Sequence, residues 1–266
     1  MAVELEHGPP RAARFFTGRH ARWRAGAAHL ALSAIVAATA FLAAFALWYP
    51  GALFAQAGGL QLSLLVAAVD VTLGPVLTTI VFKPGKKGLG FDLLVIGALQ
   101  CLALAYGLSV LFEARPVYIA FVKDRFELVR AEDIPAPQLA SAGEWARFSL
   151  TGPRFVGVRM PTDPRQQFEV MVSGIAGLDV QYFPKYYVRY DEVRRDVTSH
   201  AAPIERLRAL NPAKAATIDR IVSGSGRAEA SLGFLPMRAG PRDLTVIVDK
   251  DRGDIVEVTA LSPWKL

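Results

Sequence analysis

The sequence predicts an integral membrane protein: three transmembrane α-helices followed by an α+β domain with an antiparallel sheet. Three observations carry that expectation. Of 266 residues 52% are hydrophobic and only 20% charged, where a soluble domain of this size carries about 25% charged residues. The apolar excess lies in the first 112 residues, in three runs of 22–24 residues, and roughly 20 apolar residues cross a bilayer. Beyond Glu113 the chain turns to mixed polar sequence with frequent Arg and Pro.

The spans are read at 25–48, 60–82 and 91–112. In the first, only His29, Ser33 and Thr39 are polar; in the second the one charge is Asp70; in the third it is Asp92, at the edge. Arg11, Arg14, Arg19, Arg22 and Arg24 precede the first span, and Lys83, Lys86 and Lys87 lie between the second and third. The connection 49–59 has no Lys or Arg. Positive residues stay in the cytoplasm. Residues 1–24 therefore read as a basic cytoplasmic tail, and 113–266 as a domain on the outer side. Trp23, Trp48 and Tyr49 fall where an aromatic belt forms. Ala55-Gln56-Ala57 resembles a signal-peptidase site, but the apolar run before it is longer than a signal peptide needs, so a signal anchor is the preferred reading.

The net charge of +6 does not point to nucleic acid. Eight of the 30 Lys and Arg belong to the two inside segments, and the other 22 face 20 Asp and Glu in the outer half. Cys101 is alone, which excludes an internal disulfide and a multi-cysteine metal site. The four histidines, His7, His20, His29 and His200, show no ligand spacing. No cofactor and no metal are expected.

In the outer half, Val117 to Val122 and Phe126 to Val129 read as a hairpin about Lys123-Asp124-Arg125. Phe155 to Met160 reads as a strand. Asp163-Pro164 opens a helix to about Gly174, with Pro in its first turn. Two helices, Ile204 to Leu210 and Pro212 to Val222, divide at Asn211-Pro212. Leu232 to Pro236 reads as an edge strand, and Ser223 to Gly226 as a joint or hairpin loop. Leu244 to Val248 and Ile255 to Ala260 form a closing hairpin in which Gly253 is free to be left-handed.

Asp70 stands near the middle of the second span, where a charge costs at least about 2.5–3.5 kcal/mol. It is expected neutral and hydrogen-bonded, with Gln100 or Tyr106 as donor, either as interhelical glue, as a polar contact for another chain's membrane helix, or as a proton relay. Gly74-Pro75 is expected to kink the span, because proline removes a backbone donor. Small residues crowd the first span at Ala27, Ala28, Ala31, Ser33, Ala34, Ala37, Ala38 and Ala40 and permit close helix approach. Tyr182, Phe183, Tyr186 and Tyr187 interleave with Lys185 and form a candidate contact surface, read otherwise as half core and half surface. No sequence signature of an enzyme is present.

These residues together resemble the TfpX/TfpZ family of type IV pilin accessory proteins. The resemblance rests on Trp48-Tyr49-Pro50-Gly51, Val69-Asp70 through Gly74-Pro75 to Thr78, Phe91-Asp92-Leu93, Leu99-Gln100 and Tyr106-Gly107. It continues in Arg115-Pro116-Val117, Asp124 to Val129 and Thr151-Gly152-Pro153-Arg154. It implies a non-enzymatic, multi-pass protein of a Gram-negative inner membrane whose C-terminal domain is periplasmic. Its expected partners are a type IV major pilin, the pilus assembly machinery and membrane lipid, not nucleic acid. The architecture suits a two-site chaperone, with the bundle holding the pilin helix and the outer domain its head. A periplasmic pilin-modifying enzyme, such as a glycosyl transferase, and a membrane-anchored periplasmic sensor are the alternatives.

Overall fold

The computed structural model describes residues 11–56 and 59–264, side chains at 11–19, 55–67, 69 and 70 excepted. The chain divides into two compact units. The first takes α1 (Arg11–Trp48) as far as Ala43, most of α3 (Gly59–Val81) and α4 (Leu89–Glu113) as far as Val110. The second takes the end of α1, the one-turn α2 (Leu53–Gln56) and everything from Leu111 onward.

In the helical unit the inward face of α1 runs Gly26, His29, Ser33, Ala37, Ala40, the three- and four-residue steps of one helix face. Large apolar side chains turn outward instead: Leu32, Ile35 and Leu42 on α1, Leu73 and Ile80 on α3, Phe91, Leu94 and Leu102 on α4 are all exposed. Small and polar groups inside, apolar groups outside, is the arrangement a lipid solvent favours. Among the described residues two helices, His20–Trp48 and Leu89–Glu113, are long and apolar enough to cross a membrane. That is one fewer than the sequence reading expected. The expected span 60–82 does form α3, which runs through Pro75 without a break. Its described apolar stretch, however, is only Val71–Val81. Among the described residues α1 is helical from Arg11 onward.

The second unit is built on one sheet, ordered β4-β3-β1-β2-β6-β7-β8 with β5 on β6. Its strands are β1 (Pro116–Val122), β2 (Arg125–Arg130), β3 (Arg154–Val158), β4 (Tyr187–Arg189), β5 (Ala202–Pro203), β6 (Leu232–Arg238), β7 (Leu244–Asp249) and β8 (Ile255–Thr259). The first hairpin forms as expected, with Lys123 left-handed at its turn. The last also forms, with Gly253 at φ 71°.

The sheet is mixed, not antiparallel: β1 pairs β3 in parallel, and β2 pairs β6 in parallel. The cause is the excursion after β2. It passes through α5 (Ala136–Ala140) and the 3-10 turn Gly143–Ala146, and β3 then starts beside β1 in the same direction. A second correction concerns Leu232 to Pro236. It belongs to β6, an inner strand between β2 and β7, and not to an edge. All seven residues of β1 are buried, so both of its faces are covered.

Two apolar clusters hold this unit. One gathers Tyr118, Ala120, Val129, Val156, Val180 and Tyr187; the other gathers Ile204, Leu207, Ile218, Phe234 and Ile247. The second lies under α8 (Ile204–Leu210) and α9 (Ala215–Gly224), divided at Asn211 as the sequence predicts. Asn211 earns its place there: its amide donates to Leu207 O and Ser262 O, and its Oδ1 accepts from Ser262 N. Helix α7 (Arg194–His200) precedes them. Helix α6 (Pro164–Ile175) starts at Asp163, whose carboxylate accepts from the backbone of Arg165 and Gln166, the cap expected of an Asp-Pro start.

Candidate functional site

The helical unit contains a run of polar side chains. His29 lies on the inward face of α1, Thr78 on α3 and Gln100 on α4. The imidazole stands 2.6 Å from Thr78 Oγ1 through Nδ1, and 2.6 Å from Gln100 Oε1 through Nε2. An amide oxygen only accepts, so Nε2–H donates to Gln100, while Nδ1 and the Thr78 hydroxyl share the other bond. Gln100 Nε2 in turn donates to Ser33 Oγ at 3.3 Å. The polar groups Thr78, His29, Gln100 and Ser33 thus bond to one another, as polar groups in a low-dielectric interior must.

Gly74 makes the site possible. It is buried where the Gln100 side chain crosses α3, and a Cβ built on it collides with the Gln100 amide. Gly26 plays the same part against Thr79, whose hydroxyl donates to Pro75 O at 2.8 Å. On one side of the polar run a small cavity of about 150 Å³ opens between α1 and α4, lined by Ser33, Ala37, Gly97, Gln100 and Cys101. On the α3 side a larger apolar groove of about 440 Å³ is lined by Trp23, Gly26, Leu30, Pro75 and Ile80.

The expected residues fare differently. Gln100, Gly74 and Pro75 come together as described. Tyr106 does not join them; it is 73% exposed on the outer face of α4. The side chain of Asp70 lies outside the described residues. His29 is the residue that sequence reasoning missed. Its signal was position: it shares the inward stripe with Gly26, Ser33 and Ala37.

In the second unit the ends of α1 and α4 are joined by aromatic and backbone contacts. Tyr49 is buried and its hydroxyl donates to Leu111 O at 2.9 Å. Trp48 meets Phe112 edge-on, and the Arg115 guanidinium lies 3.6 Å over the Phe112 ring. Gly152 N donates to Leu47 O at 2.7 Å, with Gly152 at φ +62° and its Cα side against Pro50.

Of the aromatic segment, Phe183 and Tyr187 are core residues, and the Tyr187 hydroxyl donates to Gln181 O. Burial pushes the Tyr187 hydroxyl far up from its ordinary value. Tyr182 and Tyr186 are half-buried, with Lys185 Nζ 5.0 Å from the Tyr186 ring centre. The largest apolar exposure of this unit is elsewhere. On α6, Phe168, Met171, Val172 and Ile175 are exposed at 62, 58, 46 and 84%. They follow the i, i+3, i+4, i+7 spacing of one helix face, while Val170 alone turns into the core.

Fold and site define a class: an apolar helical unit with a polar seam, joined to a mixed-sheet domain with an exposed apolar helix face. No family model and no solved structure matches the chain. Curated relatives do. The fimbrial assembly protein of serogroup I from Dichelobacter nodosus is 30% identical over 179 residues, 66% of this chain and 70% of that one. The serogroup E1 protein of the same organism is 28% identical over the same shares. The protein of serogroups C1 and C2 is 34% identical over 116 residues, 43% of this chain and 88% of that one. The chain belongs to the fimbrial assembly protein family.

Proposed function

We propose that this protein is a non-enzymatic accessory factor of type IV pilus assembly, of the TfpX/TfpZ kind, that holds a pilin subunit at the bacterial inner membrane and releases it to the fibre. The N-terminus lies in the cytoplasm and the sheet domain in the periplasm. The helical unit holds the pilin's apolar helix, and the sheet domain holds its head.

The observation that carries the reading is the polar seam of His29, Thr78 and Gln100 beside open apolar grooves. Such a unit offers a membrane helix a surface of small residues together with interhelical hydrogen-bonding groups. The names of the relatives supply the process, fimbrial assembly. The exposed stripe of α6 supports a second contact on the folded domain, since apolar patches of this kind mark interaction sites. Two weak linked sites raise affinity without one tight contact, which suits a subunit that must be handed on.

The test is recovery of the tagged protein from native membranes in mild detergent after brief crosslinking. Major pilin of unaltered mass is expected to travel with it. Good recovery of other membrane complexes with no pilin would overturn the holding role, and pilin whose mass depends on this protein would turn the reading toward a modifying enzyme.

A further inference from the structure

Arg115 stands two residues beyond α4, where the chain leaves the helix for β1. Helix α4 has 25 residues. At about 1.5 Å per residue it is about 37 Å long, and it outruns the roughly 30 Å of hydrocarbon in a bilayer. In a membrane its last turn therefore comes to the level of the headgroups. The aromatic side chains there agree. Trp48 meets Phe112 edge-on, and Tyr49 donates to Leu111 O; Trp and Tyr collect at the membrane–water boundary.

Arg115 is a charge without a counter-charge. It is 6% exposed, and a guanidinium stays protonated. Its Nη1 donates to Phe112 O, and the group lies 3.6 Å over the Phe112 ring. A carbonyl at a helix end and a ring face offer only partial negative charge. Among the described residues no carboxylate pairs with Arg115. Glu113 is exposed, and Glu132 pairs instead with Arg130 at 3.7 Å. Burial pushes the Arg115 guanidinium down from its ordinary value, with the Tyr49 hydroxyl acting the other way. That hydroxyl is itself pushed up to about 12 by burial, so at neutral pH it carries no charge to offer. Nε is buried with no acceptor; Nη2 makes no bond among the described residues either, but it is not sealed from solvent. A cation taken out of water calls for an anion, and the way in is the Nη2 side.

We propose that Arg115 holds a phosphate group at the end of α4, supplied by a membrane phospholipid. The planar guanidinium fork matches two phosphate oxygens, and the lipid phosphates lie in the headgroup layer that α4 reaches. Soluble inorganic phosphate offers the same chemistry; the depth of the site favours the lipid. The inference rests on α4 crossing a bilayer, needs no pilin, and assigns the protein a lipid site separate from its holding surfaces.

The experiment is native mass spectrometry of the full chain released from detergent micelles, with three probes. These are palmitoyl-oleoyl phosphatidylglycerol, palmitoyl-oleoyl glycerol, which has the same chains and no phosphate, and inorganic phosphate. Retention of phosphatidylglycerol and not of the diacylglycerol is expected. Arg115→Gln should lower that retention roughly tenfold, the scale of a charge-assisted bond. Arg115→Lys keeps the charge without the fork and should fall between parent and Arg115→Gln. Lys86→Gln, before the other end of α4, should retain the lipid as the parent does, although it too removes one cation. Thermal unfolding gives a second reading: phosphatidylglycerol should raise the melting temperature of the parent more than that of Arg115→Lys, and the diacylglycerol should raise neither. Inorganic phosphate that displaces the lipid from the parent would assign the site to a soluble anion. Equal retention of the diacylglycerol, Arg115 variants that hold phosphatidylglycerol as the parent does, or a loss in Lys86→Gln as large as in Arg115→Gln would overturn the proposal. A chain that stays in solution without detergent would remove the membrane reading itself.

Discussion

The His29 imidazole and the Gln100 amide oxygen meet at 2.6 Å across 71 residues of chain. This bond joins the first and last helices of the helical unit, and Thr78 ties the middle helix to the same ring at 2.6 Å. Deleting either partner alone removes this bond and leaves the other only its remaining contacts. His29→Leu and Gln100→Leu should each lower thermal stability in detergent, by about 0.6–1.7 kcal/mol per lost interhelical bond. The double variant should cost less than the sum, because the bond is already lost in either single variant. Additive losses would show that the bond does not form.

Gly74 is coupled to the same bond through space. The Gln100 amide lies where a side chain at 74 would begin. Gly74→Ala therefore pushes the amide away from His29 and Ser33. Since the displaced atoms are the far end of a flexible chain, the unit should still fold, with a loss close to that of Gln100→Leu. In a Gln100→Leu background, Gly74→Ala should cost no more than a further ~1 kcal/mol of repacking. An alanine that is silent in the parent protein would contradict the close approach.

Gly152 is a different case, because the backbone itself requires it. Its φ of +62° is left-handed, and its N–H reaches Leu47 O at 2.7 Å while Pro50 lies against it. Alanine there should cost about 1–2 kcal/mol for the left-handed conformation alone. Thermal unfolding of the full chain reads the effect. Because Tyr49 closes the same end of the helices through Leu111 O, Tyr49→Phe should lower stability by about 1 kcal/mol independently.

Much of this was legible in the sequence, and the reasons differ by element. The hairpins announced themselves because alternation and a turn residue are local signals, as at Lys123 and Gly253. The Asp163 cap was legible for the same reason. The pairing of β1 with β3 was not, since a parallel neighbour depends on where the 131–153 excursion returns the chain. The inner position of β6 was hidden likewise; its partners β2 and β7 lie on both sides, and only one of them is adjacent in sequence. Gln100 and Gly74 stand out as polar and glycine positions in apolar helices, but the sequence sets Gln100 against Asp70, and its bonds to His29 and Ser33 are not legible there. His29 is hidden because a lone histidine shows no ligand spacing, whereas a hydrogen-bonding bridge needs only partners on other helices, which the sequence does not bring together.

The sheet domain carries its own pH signature. The Glu127 carboxyl is raised by burial to about 7, while in the unfolded chain it titrates at about 4.3. Between those values the folded state holds a proton the unfolded state has lost, so stability falls as pH rises through that window and levels off above it. Glu127→Gln should remove this component: the decline in melting temperature between about pH 4.5 and 7 should become shallower than in the parent. An unchanged slope would show that the Glu127 carboxyl is solvated and ordinary.

The stripe on α6 separates folding from partner contact. Phe168 and Ile175 are exposed at 62 and 84%, and the helix is held to the core through Val170. Serine at both exposed positions removes apolar surface without opening a cavity, so stability should stay within about 0.5 kcal/mol of the parent. If the stripe carries the pilin head, the same double variant should lower crosslinked pilin recovery several-fold while leaving the protein's own abundance unchanged. Val170→Ala is the matching control, since it opens a core cavity and should cost about 1–3 kcal/mol. A double variant that keeps full pilin recovery would remove α6 from the holding surface and leave the half-buried aromatic segment at Tyr182 and Tyr186 to test next.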